Sequence, residues 1–330
     1  AFAFATAALT FFIGQSDLGF LEARSYDLRQ RFGFHPKPDS SIVLVGIDDE
    51  SMRLLKMARP LDLATHKKML DRLAEYSPQA VGYLIDLAQA SDLTTGGPEA
   101  VRSAENSFLD AARKVEAKGI PFFVGTELNV LGESVPPGPI SALPHALALI
   151  HKDGNIFGED KVTRRALSYL YDQPLFHIEL ATRLDRMVYG KLPRGSFYVP
   201  EADGHYFFFR YHGPSSFLPG SSHAGGYRYH SFADLAEGRV PVEEIAGKIL
   251  LVSTISREDS GDFVLTPYSR MPVSHPKLVA HANILDSVLH DQGLILAPAW
   301  GNTLETFLLK SYVLAWIIAS TPLQGLIATL

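Results

Sequence analysis

The sequence predicts an α/β fold: a largely parallel central sheet flanked by helices, with a β-rich irregular insertion and transmembrane helix ends at both termini. Three observations carry this. Apolar runs rich in β-branched residues, IVLVGID (42–48), AVGYLIDL (80–87) and PFFVGTEL (121–128), alternate with amphipathic segments, an order that builds a parallel sheet covered by helices. Residues 150–230 lose that alternation and carry the aromatic run YFFFRYHG (206–213). The first 13 residues are apolar but for two threonines, and the last 20 carry no charge. A length of 330 residues suits one large domain or two ordinary ones. The formal net charge of −6 argues against a nucleic-acid partner held by bulk positive charge. With no cysteine, disulfide scaffolds, thiolate metal sites and cysteine nucleophiles are excluded.

In chain order, AFAFATAALTFFI (1–13) is too short to cross about 30 Å of hydrocarbon and reads as the end of a spanning helix of a longer polypeptide. Residues 16–34 continue as a helix in which Leu18, Leu21, Ser25, Leu28 and Phe32 recur at 3-4-3-4 spacing. That stripe packs either on its own domain or on a second chain. HPKPDS (35–40) breaks the helix. The first strand (42–48) is followed by an amphipathic helix at 61–76 with Leu63, Leu70 and Leu73 on one face. The second strand (80–87) leads to a helix from Pro98 to Lys118 closed by Gly119, and then to the third strand (121–128). Residues 131–144 form a Pro/Gly-rich loop. Within the insertion, a helix runs from Leu175 to Tyr189, and Phe207 to Phe209 belong to a strand buried on both faces. GSSHAGG (220–226) reads as a loop. A short helix (232–238), a strand (247–255) and a helix from Lys277 to His290 complete the domain, the last with Pro276 at its first turn. SYVLAWIIASTPLQGLIATL (311–330) has the length and composition of a membrane crossing, with Tyr312 and Trp316 suited to the interface.

Open parallel sheets bind ligands beyond the carboxyl ends of their strands. There the chain places Asp48 and Asp49, Asp86, Glu127 and Thr254, with Asp259 and Asp262 shortly after. Carboxylates gathered at such an edge suit a hard cation, an amine or a sugar; singly, each suits the cap of the next helix or turn. His281 lies on the last helix, where an interior histidine and a ligand contact are both open readings. The candidate ligand-binding set is therefore Asp48, Asp49, Asp86, Thr254, Asp262 and His281. IDDES (47–51) has a strand-end Asp like that of phosphoryl-transfer hydrolases, but Glu50 stands where a second Asp is expected. No Walker loop, G-x-S-x-G elbow or H-E-x-x-H motif occurs. No cofactor is implied, a divalent cation being the one candidate.

Several stretches match one family in its order: YDLRQRF (26–32), VLVGIDDES (43–51), the helix start from Pro60 to His66, GNIFGEDKVTRRALSYL (154–170), FRYHGPSSF (209–217), YHSFADLAEGRV (229–240), GKILLVSTISREDSGDFVLTPYSRMPV (247–273) and VAHANILDSVL (279–289). In these the chain resembles the type-2 CHASE domain, an extracytoplasmic sensory domain of bacterial signalling receptors. It departs from the family at Arg59, Leu61 and Leu63 around Pro60, at Leu84 and at Ser253. The resemblance implies a receptor of the inner (plasma) membrane. Residues 1–15 end a first transmembrane helix. Residues 16–305 form a periplasmic or extracellular sensor with 16–34 as linking helix, and residues 306–330 begin a second transmembrane helix. It further implies a small-molecule or envelope-protein ligand, a homodimer, and a cytoplasmic output module such as a nucleotide or diguanylate cyclase or a kinase, with no catalysis in this segment. The competing expectation is a metal-dependent phosphohydrolase-like enzyme using Asp48 and Asp86.

Overall fold

The computed structural model describes residues 19–56, 60–127, 135–153, 160–214, 217, 220–257 and 259–295, with side chains from residue 23 onward. The expected membrane segments, 1–15 and 306–330, lie outside the described residues. Among the described residues no helix is long and apolar enough to cross a membrane. The chain divides into two compact units, Ala1–Leu294 and Ile295–Leu330, and every described helix and strand belongs to the first.

Helix α1 (Gly19–Phe32) leads through an extended segment to β1 (Ile42–Ile47), α2 (Asp49–Leu55), α3 (Leu63–Tyr76) and β2 (Ala80–Leu84). Then come α4 (Leu87–Asp92), α5 (Pro98–Ala117), β3 (Phe122–Thr126) and β4 (His145–Leu147). The insertion contains β5 (Arg165–Leu170), β6 (Gln173–Pro174), α6 (Phe176–Arg183), β7 (Phe197–Val199) and β8 (Gly204–Phe208). The chain returns with β9 (His223–Ala224), β10 (Tyr227–Ser231), α7 (Phe232–Ala236), β11 (Ile249–Thr254) and α8 (Lys277–Leu289).

The main sheet has the order β4-β3-β2-β11-β1-β10-β9 and is parallel except for β9. Its central strands are buried but for Thr254 at the end of β11, so their side chains alternate between two apolar layers. Val43, Val45, Ile47, Leu250 and Val252 face one layer, with Leu63, Leu70 and Leu73 of α3, Phe108 of α5 and Phe232 of α7. Ile42, Leu44, Ile249 and Leu251 face the other, with Phe176 and Leu180 of α6 and Leu278, Ala282 and Leu285 of α8. The helices therefore cover both faces, as the sequence predicts. The insertion forms a second, antiparallel sheet of order β6-β5-β8-β7.

The differences from expectation are local. GSSHAGG is a hairpin, not an open loop: Gly225 and Gly226 take φ of 57° and 87°, which only glycine adopts freely, and turn β9 antiparallel onto β10. The aromatic run gives strand β8, which ends at Phe208, so Phe209 lies just past the expected strand; all three phenylalanines are buried. Phe208 packs on Tyr26 of α1, and Phe207 and Phe209 join Ile284 and Val288 of α8. Helix α6 stops at Arg183, six residues before the expected end, because Asp185 turns left-handed (φ 53°). Strand β4 lies just past the Pro/Gly-rich stretch, too short for a periodic signal.

Candidate functional site

At the carboxyl edge of the sheet, β1 ends in Asp48, whose extended backbone caps α2. Its Oδ1 accepts from the Ser51 N–H (2.8 Å), and the hydroxyls of Ser51 (2.8 Å) and Ser231 (2.9 Å) lie within donating distance of the same oxygen. Its Oδ2 accepts from the Tyr229 hydroxyl at 2.7 Å. Burial, and next the Asp48 charge, push the Tyr229 phenol well above its ordinary pKa, so it stays a donor. Tyr229 reaches Asp48 by lying across Gly46, where any Cβ would collide with its hydroxyl and ring. The buried Asp48 carboxylate thus joins β1, α2 and β10, and both its oxygens are engaged within the fold.

The other edge residues serve separate local roles. Asp86 is exposed and caps α4, accepting from the N–H groups of Ala88 (3.0 Å) and Gln89 (3.3 Å). Asp49 is exposed and accepts from the Ser256 hydroxyl at 3.3 Å. Asp262 folds the loop after β11 back on itself, accepting from the Thr254 hydroxyl (2.5 Å) and the Ser256 N–H (2.8 Å). Glu127 pairs with Lys277 at 2.5 Å. His281 is not at this edge. It stacks on His177 of α6 at 5.1 Å between ring centroids, with Nδ1 3.0 Å from His177 Nε2, in the layer between α6 and α8. Burial lowers both rings, His177 to about 3 and His281 well below its ordinary value, so both are neutral. Among the described residues no group of three or more His, Asp or Glu is placed to hold a metal ion. Asp48 and Asp86 have the geometry of caps, not of a paired acid and base.

Two substitutions test this. Asp48→Ala is expected to lower the unfolding free energy by about 2–3 kcal/mol, because it leaves several buried donors without an acceptor. Asp86→Ala should cost about 1 kcal/mol, the usual loss of an exposed cap. Urea unfolding of the two variants measures the difference, and equal effects would contradict the buried role of Asp48.

A denser constellation lies where α1 meets the insertion. The Arg164 guanidinium, fully buried, makes a two-pronged contact with Asp27 of α1 (Nε to Oδ1 2.8 Å, Nη2 to Oδ2 3.0 Å). It also donates to Asp153 (Nη1, 3.1 Å) and to both oxygens of Asp160 (2.9 and 2.6 Å). Such forked contacts are the strongest that arginine makes with carboxylates. Arg165 donates to Asp153 at 2.9 Å, and Arg270 reaches Asp27 (2.8 Å) and Asp160 (3.1 Å). Three arginines face three aspartates, so the group is neutral as a whole. Burial works to raise the Asp153 and Asp160 carboxyls. For Asp153, contacts with His151, Arg165 and Arg164 outweigh burial, and for Asp160 contacts with Arg164 do so; both stay below the usual range.

Hydrogen bonds to backbone carbonyls extend the attachment along α1. Tyr26 donates to the Phe209 carbonyl (2.7 Å), Tyr268 to the Gln30 carbonyl (2.6 Å) and Arg31 to the Pro267 carbonyl (2.6 Å). Ala23, Tyr26, Asp27 and Gln30, at i, i+3, i+4 and i+7, are the buried face of α1. Ser25, Leu28 and Phe32, part of the 3-4 stripe, point away; Leu28 is 54% and Phe32 82% exposed. Of the two readings of that stripe, packing on its own domain is therefore not what these residues do.

Sequence reasoning missed this attachment because its charges lie at 27, 153–165 and 270, and no local spacing relates them. The signal was present in another form. YDLRQRF, GNIFGEDKVTRRALSYL and the YSR of the 247–273 stretch, singled out as separate pieces, supply Tyr26 and Asp27, Asp160 with Arg164 and Arg165, and Tyr268 with Arg270.

No curated protein and no solved structure matched the chain. A family model described as the CHASE2 domain matches residues 3–321, essentially the whole chain. The chain therefore belongs to the CHASE2 domain family, a family of extracellular-type sensory domains.

Proposed function

We propose that this chain is the extracytoplasmic sensory part of a transmembrane signalling receptor. On this reading residues 1–15 and 306–330 belong to membrane-spanning helices of the inner (plasma) membrane, and residues 16–305 face the periplasm or exterior. A small molecule or an envelope protein biases the domain between two states, and α1 passes the bias to a cytoplasmic cyclase or kinase. A ligand shifts such an equilibrium only by its difference in affinity for the two states. The supporting observation is the buried Asp27–Arg164–Asp153 linkage, which makes α1 a rigid extension of the sensory body and not a loose tether. The exposed Leu28 and Phe32 face supports pairing of α1 with a second copy. The proposed ligand contacts lie at the acidic edge, with Asp49, Asp86 and Thr254 at its rim, because open parallel sheets bind ligands beyond the carboxyl ends of their strands.

The cysteine-free sequence makes the topology directly testable. Tyr198→Cys, at an exposed position on β7, is expected to react with a membrane-impermeant maleimide in intact cells stripped of their outer barrier. Labelling only after lysis would contradict the proposal. In the same background, Leu28→Cys is expected to give a disulfide-linked dimer on mild oxidation, whereas Tyr198→Cys, exposed on β7 and not on α1, gives less.

A further inference from the structure

Sheet topology places a crevice at the end of β11. The helices that follow β1 and β2 pack on one face of the main sheet, whereas β11, which lies between those strands, leads to α8 on the other face. The connections therefore part at the carboxyl end of β11, the position at which open sheets bind ligands. Thr254 ends that strand, and Asp262 closes the loop behind it. The Asp262 carboxylate accepts from the Thr254 hydroxyl and from the Ser256 N–H, and the Ser256 hydroxyl donates to Asp49 just beyond β1.

From this crevice the segment 262–270 runs to α1, and it is pinned along its length. The Val264 N–H donates to the His275 carbonyl ahead of α8 (2.9 Å), and the Leu265 carbonyl accepts from the Thr163 N–H ahead of β5 (2.8 Å). Phe263, Val264 and Thr266 are buried. Thr266 and Ser269 exchange backbone hydrogen bonds of 3.2 and 3.3 Å, which close a tight turn over Pro267 and Tyr268. This turn grips α1. The Tyr268 hydroxyl donates to the Gln30 carbonyl, and the Pro267 carbonyl accepts from Arg31. Arg270 donates to Asp27 through Nη2 (2.8 Å) while its Nη1 holds the Thr266 carbonyl (2.6 Å). Burial pushes the Tyr268 phenol above its ordinary pKa, so it stays a donor. Buried, hydrogen-bonded backbone opens rarely, so the segment has little slack to absorb a displacement at one end.

We propose that segment 262–270 is a strap that couples the β11 crevice to α1. A ligand that offers an amine or hydroxyl donor to Asp262 competes with Thr254 and Ser256, shifts the root of the strap, and changes how its turn holds α1. Arg164 and Asp153 fix α1 to the insertion; Pro267, Tyr268 and Arg270 join it to the loop that leaves the crevice. The strap rests on the sensory reading and supplies its internal route. Coupling between two sites is reciprocal, so it is measured from either end without a ligand, and its failure is separate from failure of the membrane topology.

The test is amide hydrogen exchange on the full chain, with each rate taken relative to that of β1 so that a loss of global stability cancels. Asp262→Asn, which loses one of the two acceptor oxygens at the root, is expected to speed exchange of residues 23–32 by about fivefold, the lower end of the usual coupling between sites. Thr254→Val, of the same shape without the hydroxyl, should act in the same direction and carries the test should Asp262→Asn fail to fold. In reverse, Tyr268→Phe, which removes only the donor to Gln30, should speed exchange of the Ser256 amide by a similar factor. Asp86→Ala, at the same edge but off the strap, should leave the relative rate of residues 23–32 unchanged. Unchanged relative rates in both root variants, an equal change in Asp86→Ala, or a Ser256 amide indifferent to Tyr268→Phe would overturn the proposal.

Discussion

Arg164→Met is expected to destabilise the domain by about 3–5 kcal/mol, the usual loss when one partner of a buried charge network is removed. The methionine nearly fills the volume, so the loss is electrostatic. Asp27 and Asp153 are both buried, and without Arg164 the three carboxylates are left with two guanidiniums. Arg164→Lys should recover little, because one ammonium cannot reproduce five N–H donors directed at three carboxylates. Asp27→Asn combined with Arg164→Met should cost less than the sum of the two changes, since removing both partners relieves the unpaired charge. Urea unfolding of the native chain, the three single variants Arg164→Met, Arg164→Lys and Asp27→Asn, and the double variant measures each value. A loss under about 1 kcal/mol for Arg164→Met, the range of an exposed pair, would show that the network does not hold the fold.

The second large effect is acid lability. His66 lies in the core beside Tyr83, with Nδ1 2.6 Å from the phenol, and burial lowers it to about 4. Burial lowers His177 to about 3. Tyr83 is pushed well above its ordinary value by burial, so its hydroxyl is the donor and a proton on Nδ1 would break the bond. The sign follows from proton counting. In the folded state these rings bind protons more weakly than in the unfolded chain, whose histidines titrate near 6.5. Below that pH the unfolded state gains protons that the folded state does not, and stability falls as pH falls. By pH 4 the loss is about 3 kcal/mol for each of the two rings, and His281 adds in the same direction. Unfolding free energies measured between pH 7 and 4 should drop steeply with acid, and His66→Gln should flatten the slope. A flat profile would contradict neutral burial of these rings.

The central sheet was legible because its strands are buried on both faces, and such strands are written as unbroken apolar runs such as IVLVGI and ILLVST. The helices were legible where one face is apolar, as in α3 and α8. Short pieces were not: β4 and β6 hold two or three residues each, and their pairing is set by partners far away in sequence. The acidic edge was legible as positions but not as chemistry, since the same Asp at a strand end reads as ligand or cap until its neighbours are known. Asp48 illustrates this, because Ser51 is local but Tyr229 and Ser231 come from β10, about 180 residues later. His281 shared a helix face with apolar residues, and only the approach of α6 shows that its partner is another histidine.

How α1 is held bears most directly on the receptor reading, since a helix that is free of the body cannot carry a change in the body towards the membrane. Amide hydrogen exchange on the full chain measures this. In the native chain, residues 23–32 are expected to exchange as slowly as β1 and β11. In Asp27→Asn they should speed up by about a hundredfold, the loss of a charge-assisted fork, with the two strands unchanged. Free exchange of α1 in the native chain, or no response to Asp27→Asn, would contradict it.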